Sequence, residues 1–395
     1  MTAHSRRLVG VGRWLALGFI VLLALTGCSS GGSNSPAPAT SAPTATFAPK
    51  PTFTPAASPT AVAGLPTAPP TTTSEPTDTP APTATPTPNP NVNPLTGLEV
   101  DDPSVLHRRP LLVRIGNDPV ARGVQAGLGQ AEVVYEDIMD GWGVTRFTAV
   151  YLSRDPEMIR PVRSARLINI QLAPQFDGAL AHSGASDEIR WRISQSPFVD
   201  LDEFYHSDPY TYGQGDWRTR LYTTAPRLRD YLKRNALEEN VDLQGWHFDE
   251  TPPDGNVPAE EIYIPYPNGA VTWRYNPSTG LYERSVDGTR AVDANTGDPI
   301  AAANVIGFYT EHRKTDIVED SLGSTAIDIV MMGEGSVQLF RDGVMVEGVW
   351  RRDDTFQLTQ FYDKAGNPLA LKPGQSWVEM LPTNIPEYDA QIRQP

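Results

Sequence analysis

Three arginines fall within seven residues, Arg160-Pro161-Val162-Arg163-Ser164-Ala165-Arg166, in a chain of formal net charge −15. Guanidiniums grouped this closely suit a carboxylate or phosphate, which they grip through paired N–H donors. The stretch sits between a strand-like run and a helix-like run. That helix is expected over Arg163 to Leu172, with Ala165, Ile168 and Leu172 on its apolar side. It would place Arg163 and Ser164 in an opening turn, where unpaired amides and the dipole favour an anion. Arg163 and Arg166 are therefore the expected anion clamp, with Ser164 beside them. Arg146 is a third candidate donor, and Asn117 orients a ligand or caps a turn. The competing reading is that these arginines pair with local acids and only hold the fold.

Residues for turnover are sparser. His182-Ser183-Gly184 follows a short strand and precedes a helix opened by Asp187, the place where open α/β sheets keep their sites. His182 is a candidate ligand donor, and His182, Glu136 and Asp187 are the candidate acid–base groups. Neighbours on an extended strand point to opposite faces, which sets His182 apart from Ser183. The glycine-flanked serine elbow of hydrolases is missing. Glu136 is the best placed of these carboxylates for acid–base work, yet a structural ion pair with Arg146 suits it better. Outside the first 27 residues, histidines occur only at 107, 182, 206, 247 and 312, none at ligand spacing, so neither a metal nor a cofactor is expected.

The elements that must position these groups are legible in outline. Apolar runs at Pro110–Ile115, Ala131–Ile138, Val144–Leu152 and Asp177–Ala181 read as strands, the second and third forming a hairpin across Asp140–Gly143. Helices are expected over Asp187–Ile193 and Thr224–Arg234, the latter with Leu228, Tyr231 and Leu232 inward and Arg227, Arg229, Lys233 and Arg234 outward. Beyond a boundary near Pro252–Pro258 the pattern becomes β-rich. Strands are expected at Glu261–Ile264, Ala270–Tyr275, Leu281–Ser285, Ile300–Thr310, Ala326–Met331, Thr355–Tyr362 and Trp377–Leu381. Gln338–Arg341 and Val344–Trp350 flank Asp342-Gly343, a hairpin turn pair. The fold class is thus α/β, a layered sandwich of mixed sheets with helices and a β-rich C-terminal part.

The chain's start carries an address. Arg6, Arg7 and Arg13 precede an apolar run from Trp14 to Leu25, then Thr26, Gly27 and Cys28. This is a secretory leader, residues 1–27, ending like those of bacterial lipoproteins, whose cysteine becomes the lipid-bearing first residue. Cys28 is the only cysteine in the chain, so no disulfide can form within it. Two or more acyl chains, palmitate among them, anchor a protein stably. Losing the three leader arginines takes the net charge from −15 to −18, against a nucleic-acid partner. Residues 28–92 are rich in Pro and Thr, with 16 prolines between Ser29 and Pro90. Such a segment cannot bury enough surface to fold and reads as a tether spanning about 3 Å per residue. Residues 93–250 then form an N-terminal α/β subdomain and 251–395 a C-terminal β-rich one.

The ordered part resembles the YerB-like bacterial lipoproteins, the family of domain of unknown function 3048. The resemblance rests on several motifs in order. They are Asn93-Pro94-Leu95-Thr96-Gly97, Arg109-Pro110 followed by Val113 and Asn117, Val134-Tyr135-Glu136, Thr145-Arg146-Phe147, Pro161 to Arg166 and the His182-Ser183-Gly184 corner. Asp342-Gly343, Gly348-Val349-Trp350 and Lys372-Pro373-Gly374-Gln375-Ser376-Trp377 continue the match toward residue 382. The resemblance implies an α/β sandwich outside the membrane and no established reaction. The family usually carries His-Asn ahead of Leu-Tyr, whereas Thr219-Arg220 precedes Leu221-Tyr222 here, which shifts weight from catalysis to binding.

The expected function is a membrane-anchored extracytoplasmic lipoprotein, attached through lipidated Cys28, that binds an anionic envelope ligand or serves as a scaffold. One alternative is an envelope hydrolase acting on glycan or peptide. Another is a protein partner in envelope assembly, using the β-rich part.

Overall fold

Strand β1 (Leu111–Gly116) is apolar but for Arg114, and all six of its residues are buried, so it must lie between two layers. The computed structural model describes residues 89–253 and 257–393. The leader, Cys28 and the greater part of the tether lie outside the described residues. β1 pairs antiparallel with β3 (Thr145–Tyr151) and parallel with β4 (Ala179–His182). β3 closes an antiparallel hairpin with β2 (Val133–Ile138), and β5 (Val199–Asp202) extends the sheet beyond β4. From β2 the sheet continues through Ser376–Pro382 and Asn304–Thr310, both parallel, then Gly333–Arg341, Val344–Arg352 and Gln360–Asp363. Eleven strands belong to it, drawn from both sides of residue 251.

Alternation along these strands divides the core. Val113, Ile115, Phe147 and Tyr151 face a second, six-stranded sheet bearing Ile262, Ile264, Trp273 and Tyr282. Helix α3 (Ala225–Arg234) packs Leu228 and Leu232 into the same core. Leu112, Val133, Tyr135 and Val150 face the other way, onto helices α1 (Leu167–Leu172) and α2 (Asp187–Ser194). The result is an α/β architecture of several mixed sheets, with helices in the N-terminal half and a largely β-stranded C-terminal region. The turn between Gly333–Arg341 and Val344–Arg352 has positive φ at both Asp342 (54°) and Gly343 (76°), as a two-residue hairpin of right-handed strands requires.

Several expectations are corrected. The helix expected from Arg163 begins at Leu167, and Arg163 to Arg166 are not in it. Their main chain is committed elsewhere: Arg163 N–H donates to Arg114 O, Ala165 N–H to Gly184 O, and Ser183 N–H to Arg163 O. Arg229 points inward from α3, donating to Asp155 and to the carbonyls of Arg109, Tyr151 and Leu152. The run expected over Ile300–Thr310 divides, Ala301–Ala302 pairing in the second sheet and Asn304–Thr310 in the first. Of the expected Thr355–Tyr362 strand only Gln360 to Tyr362 pair, within the strand Gln360–Asp363. The sequence reading also passed over His312–Val318, a strand that pairs with Thr325–Ile329.

A buried ionic cluster joins the two sheets. Glu136 on β2 and Glu379 on the neighbouring parallel strand are register partners, both wholly buried. Arg284 reaches across from the second sheet to both oxygens of Glu136, at 2.9 and 3.1 Å. Its guanidinium also lies against the rings of Phe147, Trp273 and Trp377. Glu379 accepts from Trp273 Nε1 at 2.8 Å and Tyr266 Oη at 2.9 Å. Burial and then the Glu136 charge push its carboxyl up to about 8, against the pull of Arg284. The folded state therefore favours the protonated acid. The stability this confers is complete below the ordinary value of 4.5 and is lost as pH rises through about 8. Urea denaturation should show stability falling across that window, by up to about 1.4 kcal/mol per pH unit from this group. Glu379→Gln should flatten that component and gain stability relative to the parent at pH 8. An unchanged pH slope in Glu379→Gln would contradict the assignment.

Candidate anion site

Arg146 sits on the helix-facing side of β3, opposite Asp137 on β2 and Gly116 on β1. Its neighbour on β1 is Arg114, fully buried, whose charge is met by Asp137 through two hydrogen bonds, one of them Nη2 to Oδ2 at 2.6 Å. Thr148 Oγ1 accepts from Arg114 at 3.0 Å and from Asn169 of α1 at 3.0 Å, tying the pair to the helix. Arg146 has no comparable partner. It is 3% exposed, its Nη1 donates to Ser164 O at 2.8 Å, and its buried Nε has no acceptor. Among the described residues it forms no ion pair with a carboxylate. Burial, followed by the positive charges of Arg166, Arg114 and Arg163, holds its pKa well below the usual arginine range, with only Asp118 opposing. Charge buried without a counter-ion is costly, so this guanidinium is the unbalanced group of the site.

The segment Arg160–Arg166 supplies the remaining donors. The Arg163 side chain passes so close to Gly116 that a Cβ there would stand 2.7 Å from its Cγ. Its Nε lies 3.8 Å from Asp118 Oδ2, and its guanidinium lies 5.1 Å from the centre of the Trp217 ring. Burial lowers its pKa, with Asp118 acting in the opposite direction. Arg166 Nε donates to Asp140 and stands 3.8 Å from Glu319. Burial pushes the Glu319 carboxyl up, ahead of the opposing effect of Arg166, and so weakens it as a counter-charge. Asp137 thus answers Arg114, Asp140 answers Arg166, Asp118 stands near Arg163, and Arg146 is left over. Ser164 takes part through its carbonyl oxygen. Arg160 turns away, donating from Nε to Thr219 O at 2.6 Å.

The other candidate residues lie in different surroundings. Asn117 is buried with the inter-sheet cluster, donating to Thr145 Oγ1 at 2.8 Å and Glu136 Oε1 at 3.2 Å and accepting from Gln125. The expected Arg146–Glu136 pair does not form, because Glu136 and Arg146 project from opposite faces of the sheet; Arg284 takes the carboxylate instead. His182 is wholly buried, with Nε2 2.8 Å from Asp200 Oδ1 and Nδ1 3.0 Å from Gly184 O. Both ring nitrogens are therefore engaged by acceptors. Ser183 Oγ turns to Glu203 at 3.5 Å, and Asp187 is exposed at the start of α2. Sequence reasoning missed Arg284, Glu379 and Trp217. A single charge inside an apolar strand was the available signal for Glu379, and Trp217 lies in a loop with no periodicity. A separate cavity of about 230 Å³ opens beside Arg284, with Arg122, Gln125 and Arg290 also lining it.

Residues 95–238 match the N-terminal domain, and residues 262–378 the C-terminal domain, of the protein family of unknown function DUF3048. The chain is 30% identical over 301 residues to "Putative lipoprotein YerB" of Bacillus subtilis strain 168, covering 73% of this chain and 86% of that protein. The crystal structure of the Bacillus subtilis YerB protein superposes with a TM-score of 0.66 at 25% identity, over 76% of this chain and 99% of that one. Motif order, both domain matches and the shared fold agree: the chain belongs to the DUF3048 family of YerB-like proteins.

Proposed function

We propose that the protein is an extracytoplasmic lipoprotein, held at the membrane by lipid on Cys28, whose folded part binds an anionic ligand over Arg146, Arg163 and Arg166. The observation that carries the binding reading is Arg146, a nearly inaccessible guanidinium with one carbonyl partner and three other arginines around it. An anion resting against it would supply the missing counter-charge and satisfy Nε. The anchor is supported by the Leu25-Thr26-Gly27-Cys28 sequence and by the lipoprotein name of the Bacillus relative. No helix among the described residues is long and apolar enough to cross a membrane. Division into subdomains 93–250 and 251–395 is supported by the gap between the two matched family segments. The engagement of both His182 nitrogens, with Ser183 turned to Glu203, favours binding over hydrolysis.

Arg146→Met separates a ligand site from a brace. If Arg146 awaits an anion, the variant in low-anion buffer should be as stable as the parent, or more stable by about 1–3 kcal/mol, because a buried unpaired charge has gone. Inorganic phosphate should raise the melting temperature of the parent and leave the variant unmoved. If Arg146 only braces the Ser164 carbonyl, the variant will lose stability and phosphate will act equally on both. Anchoring has its own test: Cys28→Ala should move the protein from the membrane fraction to the aqueous phase on detergent partitioning. Retention of the variant in the membrane fraction would point to the uncleaved leader instead.

A further inference from the structure

Six aromatic side chains are exposed among the described residues, and five of them fall between Trp191 and Trp217. Four of the five connect to the arginine site. Trp217, 66% exposed, lies under the Arg163 guanidinium. Ser183 links onward, its N–H donating to Arg163 O and its hydroxyl to Glu203, whose other oxygen accepts from Tyr212 Oη at 2.9 Å. Arg220 lies 5.2 Å from the centre of the Tyr212 ring. Arg190, packed at Gly184 of the same corner, covers Phe204 at 5.0 Å and Tyr205 at 5.9 Å. Each ring is thus steadied by a guanidinium yet keeps more than half of its surface in water. Clustered exposed rings of this kind mark a recognition surface.

The chemistry around the rings selects an occupant. Asp200, Glu203 and Asp216 are engaged by His182, Tyr212 and Arg218, and Arg190 by Asp202, so the surface carries both signs of charge in near balance. A polyphosphate backbone or an anionic bilayer needs a net positive surface, whereas residues 190–220 hold five acids against four arginines, and a bare inorganic anion would have no use for the rings. A pyranose has apolar C–H faces that lie flat on aromatic rings and hydroxyls that both donate and accept. We infer that the ligand is an acidic glycan, its carboxylate or phosphate at Arg146 and Arg163 and its sugar rings laid over Trp217, Tyr212, Phe204 and Tyr205. This rests on the anion-site reading and names the class of molecule that carries the anion.

The test uses the full chain and four probes: a maltosyl oligosaccharide ending in a single glucuronate, maltose 6-phosphate, maltotriose and inorganic phosphate, with affinities read by calorimetry. At least one acidic sugar should bind more tightly than both maltotriose and phosphate, and which one does so distinguishes carboxylate from phosphate. The double variant Phe204→Ala/Tyr205→Ala should weaken that sugar by about two- to tenfold while leaving phosphate binding unchanged. Arg146→Met should abolish both. Acidic sugars binding no better than phosphate, or full sugar affinity in the double variant, would overturn the glycan inference and leave the anion site standing. Phosphate binding that is absent from the parent, or equal in Arg146→Met, would remove the anion site and the glycan inference together.

Discussion

The backbone of residues 159 to 165 is hydrogen-bonded to four separate parts of the molecule, and the candidate site depends on that stitching. Ile159 exchanges hydrogen bonds with Thr223, and Arg160 with Ala126. Pro161 O accepts from Gly116, Val162 donates to Leu221, and Arg163 donates to Arg114. Ala165 then pairs with the Gly184 corner. An extended segment held this way cannot rotate, so its side chains have fixed directions. Arg163 is sent past Gly116 toward Asp118 and Trp217, and Arg166 toward Asp140. The Ser164 carbonyl is presented to Arg146. Rigid backbone under a recognition group is what lets a guanidinium select an anion without reordering at each encounter.

Buried charge is treated differently on the two faces of the main sheet. On the face toward the second sheet, Arg284, Glu136 and Glu379 form a closed set, with donors from Tyr266, Trp273, Thr145 and Asn117 meeting the carboxylates. Protonation of Glu379 further relieves the crowding of two acids on adjacent strands. On the helix face, Arg114 and Asp137 also close on each other. Arg146, one strand away, does not close. The difference lies in counter-charge and not in completed hydrogen bonds, since the buried Nε atoms of Arg114 and Arg284 also have no acceptor. A binding site keeps a gap for its ligand. That contrast within one sheet, more than the count of arginines, is what motivates the anion-site proposal.

The sequence by itself determined most strands of the main sheet and its hairpins. The alternation of Val144–Leu152 set the observed facing of β3, and Asp342-Gly343 specified its hairpin, because period and turn chemistry are local properties of the chain. The YerB-like family was also legible, carried by motifs such as Pro161–Arg166 and the Lys372–Trp377 run. The direction of the arginine segment was not. Its composition suits a helix start, yet the partners that hold it extended lie at positions 114, 126, 184 and 221, and long-range hydrogen bonds outweigh weak local propensity. Tertiary structure alone decided that Glu136 belongs to Arg284, since that depends on which strand the second sheet sets over it. It alone left Arg146 without a partner, because strand pairing fixed the face on which Arg146 lies and the acids nearby were taken by other arginines.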